Sequence, residues 1–168
     1  MNASHACEVP WDTGYSNVCS ICGSPADAGY FDVSSFKAPP VETGQEVELA
    51  RYAMHPQYCG SLMYFAQYAE RASDAGQVKT ITPGFEWVIL CNNQPRSPYL
   101  PSSLILSAWG RTAFPVNMRL EEGCLMRFVV RKVALPPGGK AIDLSQVGGR
   151  LMGRSWYNAN FGGAPARL

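Results

Sequence analysis

The stretch PVNMRLEEGCLMRFVVRKV, residues 115–133, decides the fold class. Across residues 115–120 the apolar Val116, Met118 and Leu120 alternate with Asn117 and Arg119. A period of two puts one set of side chains on each face of an extended chain, the pattern of a half-buried strand. Glu121-Glu122-Gly123 then makes a tight turn, close to a hairpin signal. Beyond it, Met126, Phe128 and Val130 fall on one side, with Arg127 and Arg131 on the other. Such strands are apolar on one face and need a second layer to bury it.

The same texture runs outward from this stretch. Residues 46–52 alternate, with Val47 and Leu49 on one face, and residues 61–68 are strand-like after a turn over residues 54–60. Residues 69–76 suit a single helical turn or a polar loop. Phe85, Trp87, Ile89 and Cys91 line one side of a strand that begins after Pro83-Gly84, and residues 92–98 read as a long turn. Leu104-Ile105-Leu106 suits a buried strand or a short helical turn equally. After Pro136-Pro137-Gly138-Gly139, a short segment over residues 141–147 leads to a last strand over residues 150–157. About seven short runs separated by turn formers predict an all-β domain, an antiparallel β-sandwich or jelly-roll-like barrel.

Composition agrees. Fourteen basic and 13 acidic residues make the chain only 16% charged, against about 25% for an ordinary soluble domain. Few charges with many aromatics exclude intrinsic disorder. The 16 glycines and 13 prolines count against a helical bundle. A formal charge of +1 is not that of a nucleic-acid binder. No apolar run approaches the ~18 residues that cross a bilayer. The first residues lack the basic start and apolar run of a signal peptide, so a reducing cytoplasm without disulfides is the expectation.

Residues 1–44 read as an extended N-terminal arm before a sandwich domain over residues 45–168. The arm has turn formers, no sustained periodicity, and only Glu8, Asp12, Asp27, Asp32, Lys37 and Glu42 as charges. A free tail would carry more charge, so the arm is expected to lie against a neighbour, with Trp11, Tyr15, Tyr30, Phe31 and Phe36 as anchors. It also holds His5-x-Cys7-x11-Cys19-x2-Cys22, a ligand set that suits tetrahedral zinc and would staple a coreless segment. The bland alternative is free or packed thiols, since zinc ribbons normally carry two Cys-x-x-Cys pairs. Cys59, Cys91 and Cys124 sit in or beside strands and read as buried free thiols.

Catalytic signatures are lacking. The chain has no Gly-x-Ser-x-Gly elbow and no phosphate loop, and a general base would have to be His5 or His55. His55, before Pro56, reads as a loop residue. Adjacent Glu121 and Glu122 diverge on a turn and are poorly placed to share a substrate. Arg119, Arg127 and Arg131 form a basic stripe, a protein contact, or, as the preferred reading, a solvated face paired with nearby glutamates. Trp87 belongs in the core, whereas Trp11, Trp109 and Trp156 leave a sugar-stacking platform open.

The order of features from residue 46 to about residue 157 resembles a known group. It runs through Pro56-Gln57-Tyr58-Cys59-Gly60, Tyr64-Phe65-Ala66-Gln67, Phe85-Glu86-Trp87-Val88-Ile89, Asn92-Asn93 and Arg150-Leu151-Met152-Gly153-Arg154-Ser155-Trp156-Tyr157. This resembles small β-sandwich structural proteins of tailed bacteriophages, the kind found in necks, collars and capsid decorations. The resemblance implies a non-enzymatic virion component, made in the host cytoplasm, that assembles as a homo-oligomer with copies of itself and other virion proteins. Nucleic acid and membrane are not among its expected partners. The alternative, from a different class, is a carbohydrate-binding β-sandwich module using exposed aromatics.

Overall fold

Residues 115–133 do form two strands, but those strands are not a hairpin. In the computed structural model, which describes residues 28–95, 102, 103, 105 and 113–157, they lie in different sheets. The strands are β1 Gly29–Lys37, β2 Glu46–Ala53, β3 Tyr58–Arg71, β4 Phe85–Cys91, β5 Gln94–Pro95, β6 Phe114–Leu120, β7 Leu125–Lys132 and β8 Leu144–Tyr157. β7 is flanked on both sides, by β2 and β4, so it has no free edge for β6. β6 pairs instead with β3 in the opposite sheet. The turn at Gly123, with φ of 68°, therefore crosses the sandwich, and both apolar faces meet across it rather than side by side.

The two antiparallel sheets have the orders β1-β8-β3-β6 and β2-β7-β4-β5. First pairs with last, second with seventh, third with sixth and fourth with fifth, as if one long hairpin had been rolled up. This is the jelly-roll order of a β-sandwich. The fold class expected from the alternation is the one observed, and no helix occurs among the described residues.

The core lies between the sheets. Leu49, Leu62, Phe65, Trp87, Met118, Leu120, Met126, Phe128, Val130, Val147 and Leu151 are all buried there. Phe128 meets Phe65 edge-on at 5.8 Å. Burying side chains of this size contributes about 1.5–3 kcal/mol each. Asn92 and Asn93, both at positive φ, turn the chain from β4 directly into β5, so the expected long turn over residues 92–98 is shorter at its start. Asn tolerates that left-handed backbone better than most residues. Residues 69–71 extend β3 rather than beginning a helical turn.

Two boundaries differ from the sequence reading. The sandwich already includes residues 29–37, assigned to the arm: they form β1 and pair with β8 through nine consecutive residues. Its inward set is Phe31, Val33 and Ser35, and one serine in that set hides the alternation. Ser35 Oγ donates to the carbonyl of Leu49, tying β1 to β2 at a distance of 2.5 Å. β8 begins at Leu144, not at residue 150, because Gly148 and Gly149 do not break it. They are places of close approach. A Cβ on Gly149 would lie 2.7 Å from Phe128 Cδ1, and one on Gly153 would lie 2.7 Å from Phe31 Cε1.

That crowding gives a measurable expectation. Gly153→Ala should lower the unfolding free energy in a urea titration by about 1–3 kcal/mol, the cost of overpacking. Gly29→Ala is the control, since its Cβ would meet nothing nearer than the Ser155 carbonyl at 3.8 Å. It should be neutral or slightly stabilising.

Candidate functional site

Alternation along four strands fixes what the outer face of the β1-β8-β3-β6 sheet displays. β1 turns Tyr30, Asp32, Ser34 and Phe36 outward, opposite the inward set already described. β8 contributes Arg150, Met152 and Arg154, the residues between its buried positions. β3 contributes Tyr64 and Tyr68, after a register shift between Leu62 and Tyr64 that re-aims the strand. Tyr30 is 79% exposed, and Phe36 and Tyr64 are each near two-fifths exposed.

The face is held by specific contacts. The Arg154 guanidinium sits 4.4 Å from the Tyr30 ring, a cation–π contact. Phe36 packs edge-on against Tyr68 at 5.1 Å, over the bare backbone of Gly148. Between these two aromatic positions, Arg150 donates to both carboxylate oxygens of Asp32, with the Nε bond at 2.8 Å. Hydrogen bonds from Arg150, helped by its charge, hold the Asp32 carboxyl below its ordinary value. Farther along β3, the Tyr68 hydroxyl donates to Glu70 and Ser145 Oγ donates to the same carboxylate at 2.8 Å. Those bonds push Glu70 down and the Tyr68 phenol up.

The outer face of the other sheet has a different character. Arg127 pairs with Glu48 and Arg131 with Glu46, each at 2.5 Å. Between them Val88, Leu90 and Val129 form a small buried cluster. Arg119 pairs with Glu121 at 3.3 Å, but on β6 in the first sheet, so the three arginines make no common stripe. The paired-glutamate reading of these arginines is the one the structure shows.

Tyr30 and Phe36 stand at the surface on β1, whereas Phe31 fills this chain's own core, stacked on Tyr52 at 3.9 Å. Phe31 is therefore corrected from neighbour-contacting anchor to core residue: its position in β1 has inward parity. His5, Cys7, Trp11, Tyr15, Cys19 and Cys22 lie outside the described residues, as does Trp109. Trp87 is buried in the core, and Trp156 is buried with Ala28 and Cys59 in a separate cluster. Cys59, Cys91 and Cys124 are buried in or beside their strands. His55 is exposed, edge-on to Tyr58, which in turn meets Tyr157. Among the described residues no group of three or more His, Cys, Asp and Glu is placed to hold a metal ion.

Sequence reading missed Asp32, Tyr64, Arg150, Met152 and Arg154 as parts of one surface. The every-other spacing of Arg150, Met152 and Arg154 was the available signal. No protein-family model and no curated protein matches the chain.

The Asp32–Arg150 pair sets a pH dependence. A carboxyl lowered in the folded state stabilises above its unfolded value of about 4, and that contribution is lost as pH falls through the folded value. Asp32→Asn should therefore flatten the acid side of the melting-temperature profile and leave the alkaline side unchanged in slope. Both partners are partly exposed, so the loss at pH 7 should stay within about 1 kcal/mol.

Proposed function

We propose that this chain is a non-enzymatic structural subunit of a tailed-phage particle, of neck, collar or capsid-decoration type, that assembles with copies of itself. One observation carries the reading. The outer face of the β1-β8-β3-β6 sheet leaves Tyr30, Phe36 and Tyr64 at the surface around the Asp32–Arg150 pair, where a solvated sheet would carry separate charges. Aromatics, Met and Arg are the residues enriched at protein contacts, and exposed apolar area of this kind marks interaction surfaces. The jelly-roll order supports the reading by analogy, since capsid subunits use it, although lectin domains use it too. The arm over residues 1–27, with Trp11 and Tyr15, is the second contact in this reading.

A carbohydrate-binding module is the competing reading. The exposed Tyr30 and Tyr64 rings beside a bidentate Arg–carboxylate pair favour it, because sugars stack on aromatic faces and bond to such groups.

Light scattering and glycan-array binding separate the two. The full chain at micromolar concentration should run as a defined oligomer and retain no glycan. A monomer that binds a glycan, and loses it in Tyr64→Ala, would overturn the assembly reading. Removal of residues 1–27 leaves all eight strands in place, so the shortened chain should stay folded and scatter with a smaller mass. An unchanged mass would remove the arm from the interface.

A further inference from the structure

Among the described residues the two sheets have four edge strands, and three of them are blunted. β2 has a bulge between Glu48 and Ala50 and carries Glu46, Glu48 and Arg51. β6 contains Pro115 and meets β3 across a register shift. β5 is two residues long and ends in Pro95. Charges, prolines, bulges and shortness are the devices that keep sheet edges from pairing with other chains.

β1 has no proline, bulge or shortness to guard it, and the one charge in its interior, Asp32, is paired with Arg150. It pairs with β8 through nine consecutive residues without a shift, contains no proline, and has six of its nine residues exposed. Its charges are Asp32, held by Arg150, and Lys37 at its last position. Among the described residues β8 is the only strand beside it. An open groove of about 270 Å³ follows its second half, between Val33–Lys37 on one side and the β2 bulge on the other.

We propose that β1 pairs antiparallel with β1 of a second copy about a two-fold axis at Val33, joining two four-stranded sheets into one of eight. The inference rests on the assembly reading and names the surface it uses. The side-chain pattern selects the register. A continuous sheet requires outward residues to face outward residues, because alternation carries across every strand pair. A two-fold at Asp32 would set that carboxylate against its own copy, which is unfavourable. A two-fold at Phe31 or Ser34 leaves part of the strand unpaired. At Val33 all nine residues pair. Tyr30 then faces the partner's Phe36, and Phe36 the partner's Tyr30, so the exposed aromatics of β1 close into two cross-strand pairs. Asp32 faces Ser34, and Lys37 faces Gly29, so no like charges meet. Aromatic pairs opposite one another are among the favourable cross-strand combinations.

Sedimentation and light scattering on designed charge variants of the full chain test the pairing. The wild type should have the mass of a dimer or a multiple of one. Y30K/F36K places lysine against lysine twice and should halve that mass, with the circular dichroism spectrum kept because both side chains lie on the outer face. Y30K/F36E sets opposite charges across the same two pairs and should restore the wild-type mass. Y30K alone, which leaves Phe36 seated on Gly148, should raise the dimer dissociation constant at least tenfold. A monomeric wild type would overturn both the pairing and the assembly reading. An oligomer whose mass Y30K/F36K leaves unchanged would overturn the pairing alone. Loss in both double variants would overturn the register at Val33.

Discussion

The structure depends on the backbone of β8. This strand runs the full length of the first sheet, with β1 on one side and β3 on the other. Aromatic rings press on it from both faces: Phe31 and Phe128 from the core, Phe36 from outside. Three of its residues, Gly148, Gly149 and Gly153, leave the space those rings occupy. Glycine in a strand interior ordinarily weakens it, through lost chain entropy and an absent side chain. Here the missing Cβ atoms let neighbouring rings reach van der Waals contact, and the dispersion and burial gained work against that cost. The jelly-roll order follows from the same strand. Because β8 takes both β1 and β3 as neighbours, the first and last segments of the described fold are locked together, and β1 becomes an edge.

The low charge content takes on a definite meaning against this geometry. Long cross-strand partners are used in pairs: Arg127 with Glu48, Arg131 with Glu46, Arg150 with Asp32. Surface ion pairs contribute little stability, with a median of about 0–1 kcal/mol. Their placement matters more. The first two pairs lie on the outer face of one sheet and include two of the charges that blunt β2. The third lies on the other sheet beside exposed rings and leaves the β1 edge without a net charge at its centre. These two edges differ in backbone rather than in paired charge: β2 is bulged between Glu48 and Ala50, whereas β1 pairs with β8 without a shift.

The fold class was legible because strict alternation is a strong signal where one face is fully apolar, as in Val116-x-Met118-x-Leu120 and Met126-x-Phe128-x-Val130. The pairing of those strands was not. A short turn specifies that two strands are close in sequence, whereas topology is set by which edges remain open, and β7 has none. β1 was hidden for a different reason. Its inward residues Phe31, Val33 and Ser35 contain only two apolar side chains, and the serine works through a hydrogen bond to β2 that sequence alone does not reveal. The outer face was the hardest to read. Its residues come from three strands separated by up to 124 positions, and only the register of β8 with β1 and β3 brings Tyr30, Tyr64 and Arg154 onto one surface.

These constraints also bear on where function resides. The interior between the sheets is filled by Trp87, Phe128, Leu151 and their neighbours, so the described core is packing rather than a binding chamber. Among the described residues, surface and edge are the parts that can meet a partner. A side-chain face such as Tyr30–Arg154–Tyr64 offers selectivity, but an edge strand offers a row of backbone donors and acceptors whose desolvation is compensated only by another strand. A partner meeting both together would gain directional hydrogen bonds from the edge and apolar burial from the rings beside it. β1 is where the two coincide, since its outward residues belong to the aromatic face and no described strand lies on its other side. That coincidence makes a strand-to-strand contact at β1 a better use of this surface than a contact through side chains alone.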